Sequence, residues 1–175
     1  TVDWWNGFEQ YYHIYMSKVF TEEYTPDMPE PYNGKVFKGG TGYGLDNLLP
    51  KAIEHQYPDY SLYPKHKEAY GFLTRGCPRN CGFCIVSEKE GRKSHKVAEL
   101  EEFWRGQKEI KLLDPNLLAA KEHESLLQQL IDSKAWVDFT QGLDARLLNN
   151  DNIALLRQVK TKMVHFAWDS EQGSD

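Results

Sequence analysis

Through about the first sixty positions, apolar residues come in short runs separated by turn formers. Residues 2–5, residues 12–16 and the Val36-Phe37 pair each read as a short buried strand, since none continues long enough for a helix. The third runs into Gly39-Gly40-Thr41-Gly42-Tyr43-Gly44. That run is either a strand-to-loop turn or a loop whose backbone amides can approach a phosphate, and without a fuller fingerprint the turn is the better reading. Pro26, Pro29 and Pro31 mark an irregular connection, and Leu48, Leu49, Ala52 and Ile53 make a brief helical stripe that Pro50 interrupts. The aromatics Trp4, Trp5, Tyr11, Tyr12 and Tyr15 lack interleaved Lys and Arg, so they read as core packing and not as base-stacking platforms. Residues 57–64 hold two prolines and no periodicity, which puts a domain boundary at about position 60.

Beyond that boundary the pattern is regular. It predicts strand 69–74, a cysteine-bearing loop, helix 97–107, strand 110–113, helix 122–133, strand 136–139, helix 152–159 and strand 163–167. Val97, Leu100 and Trp104 keep helical spacing, as do Leu126, Leu127, Leu130 and Ile131, while the strands between are short and mostly apolar. Strands joined by helical crossovers run parallel, so the expected fold class is α/β with a parallel strand-helix series. Loops after the C-terminal strand ends carry the ligands in such arrays. Polar residues do follow every strand: the cysteines, then Asp114-Pro115-Asn116, then Thr140-Gln141-Gly142-Leu143-Asp144-Ala145-Arg146, then Trp168-Asp169. His165, inside the apolar last strand, reads as a core histidine, and the basic residues between 89 and 96 read as a solvated loop leading into the first helix.

Composition narrows the function classes. Of 175 residues, 40% are hydrophobic and 27% charged, which is ordinary globular usage and excludes fibrous or disordered chains. A net charge of −5 supplies no global field toward nucleic acid or an anionic membrane. No apolar run approaches the roughly 18 to 20 residues that span a bilayer, and no signal-peptide pattern opens the chain. The expectation is a soluble, cytoplasmic protein with no membrane partner and no nucleic acid.

The cysteines carry the chemistry. All three lie in Gly76-Cys77-Pro78-Arg79-Asn80-Cys81-Gly82-Phe83-Cys84, an odd number over a span too short for a disulfide framework. Three thiolates suit zinc or iron-sulfur. Zinc needs a fourth ligand such as His95, whereas a 4Fe-4S cluster on three thiolates keeps one iron open to a further ligand. Zinc sites more often use paired C-x2-C units, so C-x3-C-x2-C points to iron-sulfur.

This motif, after a strand and with Phe83 just before its last cysteine, resembles that of the radical S-adenosylmethionine (SAM) enzymes. The runs AYGFLTRGCPRNCGFCIVSEKEG, LLDPNLL, DFTQGLDARLL and HFAWD resemble uncharacterised bacterial members with a degenerate cobalamin-binding-like N-terminal region. The resemblance implies a partial Rossmann-like region over 1–60 and a partial parallel (β/α) barrel over 61–175. It implies an enzyme in which Cys77, Cys81 and Cys84 hold a 4Fe-4S cluster and the open iron chelates SAM. Reductive cleavage of SAM then gives a 5'-deoxyadenosyl radical that abstracts hydrogen from a substrate the sequence does not identify, with an electron donor such as flavodoxin or ferredoxin as partner. Phe83 maps near the adenine. Asp114 or Asn116 stands where many members have a Gly-Gly-Glu for the SAM amino group, and Gln141, Asp144 and Arg146 map to contacts with ribose and carboxylate. Asp169 is placed similarly, and Arg75 beside the cluster. No D-x-H-x-x-G sequence is present to supply a lower cobalt ligand, so cobalamin is not expected.

Alternatives stand beside these assignments. Asp144 with Arg146 also reads as a surface ion pair, and Asp114-Pro115 as a turn opener. The 91 residues after Cys84 hold about three βα units, fewer than the family's barrel, which leads to the expectation of a truncated chain with exposed sheet edges. A non-catalytic metal-binding module for a protein partner is the alternative from another class.

Overall fold

The structure, a computed structural model, describes residues 8–27, 29, 34–48 and 50–166. The expected strand over 2–5, Trp4, Trp5, Pro31, Leu49, Trp168 and Asp169 lie outside the described residues. The chain divides into two compact units, Thr1–Leu62 and Tyr63–Asp175. Among the described residues no helix is long and apolar enough to cross a membrane.

In the first unit, β1 (His13–Ser17) and β2 (Lys35–Gly39) pair in parallel, from His13↔Lys35 to Ser17↔Gly39. The period of two along β1 gives its buried place to Ile14. Tyr15 instead stacks on Phe37 across the pair, ring centroids 5.1 Å apart, and Tyr12 is 95% exposed, so Tyr12 is not a core residue. The glycine run closes on itself: the N–H groups of Gly42, Tyr43 and Gly44 donate to the carbonyls of Lys18, Gly40 and Thr41. Lys18 is buried, and its Nζ donates to Glu22, Asp27 and the Thr25 carbonyl while Tyr43 donates to Asp27. A single turn, α1 (Lys51–Glu54), follows Pro50, whose fixed φ suits a helix start.

The second unit runs β3 (Ala69–Gly71), β4 (Thr74–Arg75), α2 (Val86–Lys89), β5 (His95–Lys96), β6 (Glu109–Leu112), α3 (His123–Ser133), β7 (Trp136–Phe139) and α4 (Asn150–Leu156). β3, β6 and β7 form a parallel sheet in that order, with the row Ala69, Ile110, Val137 and the row Gly71, Leu112, Phe139 in register. Ile110 and Leu112 alternate with half-buried neighbours along β6, and with Ala69, Val137 and Phe139 they join Leu126, Leu127 and Leu130 of α3 in the core. The described strands form sheets of two, three and two strands, and none of these closes into a barrel.

Three predicted elements come out differently. Strand 69–74 is broken, because the N–H groups of Leu73 and Thr74 leave the sheet and donate to the Asp114 carboxylate. Only one 3-10 turn, Leu100–Glu102, forms within 97–107. Val97 and Ala98 are held by the Leu73 carbonyl on one side, and Gly106 takes φ +95 on the other, so helical spacing is confined between two breaks. Over 163–167, Phe166 forms a single parallel bridge to Leu143 and Ala167 is outside the described residues. His165 is exposed, contrary to its core assignment. The basic stretch is not wholly a loop either, since Ser94 is buried and His95–Lys96 is β5.

Candidate functional site

The cysteine loop leaves β4 and returns at β5, which pairs with it antiparallel through Thr74↔Lys96 and Arg75↔His95. Gly76 starts the loop at φ +82, and a Cβ there would strike the backbone of Lys93, so the position requires glycine. Glu90 clasps the base: Arg75 Nη1 donates to it at 2.8 Å and the Gly76 N–H at 3.0 Å. The Cys77 N–H donates to the Gly91 carbonyl, and the Cys84 N–H to that of Cys81. Arg75 also lies over the Phe72 ring, 3.9 Å from its centroid. None of the three cysteines is in a disulfide; Cys77 and Cys81 are half-buried and Cys84 is exposed.

Two strand ends, those of β6 and β7, meet on this loop. After β6, the buried Asp114 carboxylate accepts from the Leu73 N–H, the Thr74 N–H and Thr74 Oγ1, tying the root of the cysteine loop to the sheet. Burial pushes Asp114 up to about 6, against the pull of these donors. Two residues on, Asn116 is buried, and its Nδ2 lies 3.5 Å from Cys77 Sγ and 3.3 Å from Asp144 Oδ2. Its Oδ1 is buried with no hydrogen-bond partner among the described residues. After β7, Asp144 caps the 3-10 turn Ala145–Leu147 by accepting from the Arg146 N–H. Its carboxylate is shared between Arg79 Nε and Arg146 Nε, each at 2.7 Å. Burial opposes ionisation of Asp144, but the hydrogen bonds from Arg146 and Arg79 outweigh it and hold the carboxyl at about 2. The result is a continuous polar network, Cys77–Asn116–Asp144–Arg79/Arg146, crossing from the cysteine loop to the ends of β6 and β7.

No family model, curated protein or solved structure matches the chain. In kind and number the donors fit an iron-sulfur cluster with an open position: three disulfide-free thiols on one clasped loop. Among the described residues, no three His, Cys, Asp or Glu side chains already stand together as a metal-holding group, so binding requires the three sulfurs to converge.

Of the residues singled out in the sequence, Cys77, Asn116, Asp144 and Arg146 are brought together. Asp114 accepts from the backbone of Leu73 and from the backbone and hydroxyl of Thr74. Gln141 is exposed after β7, outside the network, and Phe83 is 79% exposed. His95 is exposed, and its Nδ1 sits 3.1 Å from the Lys93 carbonyl. Arg79 and Glu90 escaped sequence reasoning. Arg79 had one signal, a guanidinium set among three thiolates; Glu90 had none, because its role exists only once the loop folds back on its root.

Proposed function

We propose that the chain is the cluster- and SAM-binding part of a radical SAM enzyme, built on a partial Rossmann-like region followed by a partial parallel (β/α) barrel. The observation that carries this reading is the convergence of the cysteine loop and the β6 and β7 ends through Asn116 and Asp144. A ligand held at the open iron needs groups supplied from neighbouring strand ends, and that is where the buried Asp114, Asn116 and Asp144 lie. Cys77, Cys81 and Cys84 hold the 4Fe-4S cluster. When bound, the cluster and SAM supply reductive C–S cleavage to a 5'-deoxyadenosyl radical, with electrons from a donor such as flavodoxin or ferredoxin. The chain's own part is to bind and orient. Glu90 and Asp114 fix the loop root, Arg79 and Arg146 keep Asp144 ionised, and the guanidinium edges offer forked donors to a carboxylate.

The test is anaerobic reconstitution with iron and sulfide in competition with zinc, followed by EPR of the reduced protein before and after SAM. A SAM-dependent change in the signal, lost in Cys81→Ala, is expected. Preferential zinc uptake, or a cluster signal indifferent to SAM, would replace this reading with that of a non-catalytic metal-binding module.

A further inference from the structure

We propose that Asn116 is a positioning residue for Cys77, an outer-shell donor that holds and tunes the first thiolate of the cysteine loop; this rests on the metal-binding reading above. The orientation of its amide is fixed by charge. Nδ2 faces both Asp144 Oδ2 at 3.3 Å and Cys77 Sγ at 3.5 Å, the latter within the longer reach of a sulfur acceptor. The flipped amide would turn its oxygen toward a carboxylate that Arg79 and Arg146 keep ionised, which the hydrogen-bond network disfavours. The backbone of Asn116 is pinned separately, its carbonyl accepting from the buried Ser94 Oγ at 2.9 Å. The amide is thus held on one side by Asp144 and faces the sulfur on the other.

A buried amide is costly unless paired, and nothing in the β6 end requires one for packing: Leu117 and Leu118 beside it fill apolar places. A donor aimed at a metal-ligating sulfur orients it and lowers its electron density, and such partners commonly govern metal affinity about ten- to a hundredfold. Hydrogen bonds to ligand sulfurs also help set cluster potentials. They favour the more negative, reduced state, so removing one lowers the potential.

Asn116→Leu keeps the size and removes the donor, and Asn116→Ser is a smaller variant should the first not fold, checked by circular dichroism. Ser94→Ala loosens the same backbone without touching the amide. Two readouts apply to the full chain: Co(II) affinity from the thiolate charge-transfer band, and the midpoint potential of the reconstituted cluster. We expect Co(II) binding at least about tenfold weaker and a more negative potential in the Asn116 variants, with both unchanged in Ser94→Ala. Equal affinity and potential in wild type and Asn116 variants would overturn the inference and leave the proposed function standing. So would a Ser94→Ala effect as large as that of Asn116→Leu, which would make the role merely structural. If the wild type assembles no cluster, the proposed function falls and Co(II) alone decides: a tenfold loss supports the role of Asn116, while equal affinity or no Co(II) binding at all removes it.

Discussion

Arg79 Nε lies 2.7 Å from Asp144 Oδ2, an ion pair between residues 65 positions apart that fastens the middle of the cysteine loop to the end of β7. Asp144 is buried while Arg79 is about one-third exposed, so the pair is partly desolvated and acts mainly as a geometric tie. Asp144→Asn should weaken it and Arg146 together, at a cost of about 1–3 kcal/mol. Trypsin cleavage after Arg79 should then accelerate several-fold, read by mass spectrometry of timed digests. The native carboxyl sits near 2 where 3.8 is ordinary, so its contribution is complete above about pH 4 and is lost as pH falls toward 2. Cleavage that is unchanged in Asp144→Asn would mean the loop is held by its base alone.

Asp114 has the opposite sign. Its folded value of about 6 stands above the ordinary 3.8, so the folded unit binds this proton more tightly than the unfolded chain. Its contribution to stability is full below about pH 4, decreases as pH rises to about 6 and is flat above, a span of about 3 kcal/mol. Hydrogen exchange at the Leu73 and Thr74 amides, both donors to this carboxylate, should report the change locally. In Asp114→Asn that pH dependence should vanish; a persisting slope would assign it to another group.

Gly71 packs its bare Cα against the Phe103 ring, where an added Cβ would overlap the ring carbons. Gly71→Ala should therefore destabilise the second unit by about 1–3 kcal/mol, read by chemical denaturation. Phe103→Leu in the same chain should recover part of the loss, since the two positions share one contact. Additive effects would show that the clash relaxes elsewhere.

Lys134 ends α3 with φ 54, and among the described residues it is the one non-glycine with positive φ. A left-handed conformation costs an L-residue with a Cβ roughly 1–2 kcal/mol, and glycine is the usual occupant of this place after a helix. Lys134→Gly should raise stability by about 1 kcal/mol, the remainder being offset by glycine's greater unfolded-state freedom. A thermal melt without an increase would indicate that the lysine side chain makes a compensating contact.

The sequence by itself determined the local elements whose signals are short-range. The stripe Leu126, Leu127, Leu130 placed α3 to within a residue of its start, and the run Trp136–Phe139 is β7 as expected. The spacing Cys77, Cys81, Cys84 marked the loop on which the polar network converges, and the rule that polar residues follow strand ends picked out Asn116, Asp144 and Arg146. Tertiary structure decided everything that depends on one segment meeting another. The expected strand 69–74 breaks after Gly71 because the Asp114 carboxylate, some 40 positions away, offers the N–H groups of Leu73 and Thr74 an acceptor. Helix 97–107 stops at a turn because Leu73 holds one end and Gly106 bends the other. Asp114 straps the root of the cysteine loop and Arg79 ties its middle to Asp144 for one reason: a polar side chain's role in the fold is set by the partner that satisfies it. Periodicity records which face a residue presents, whereas the partner is fixed only when distant strand ends are brought to within hydrogen-bond distance.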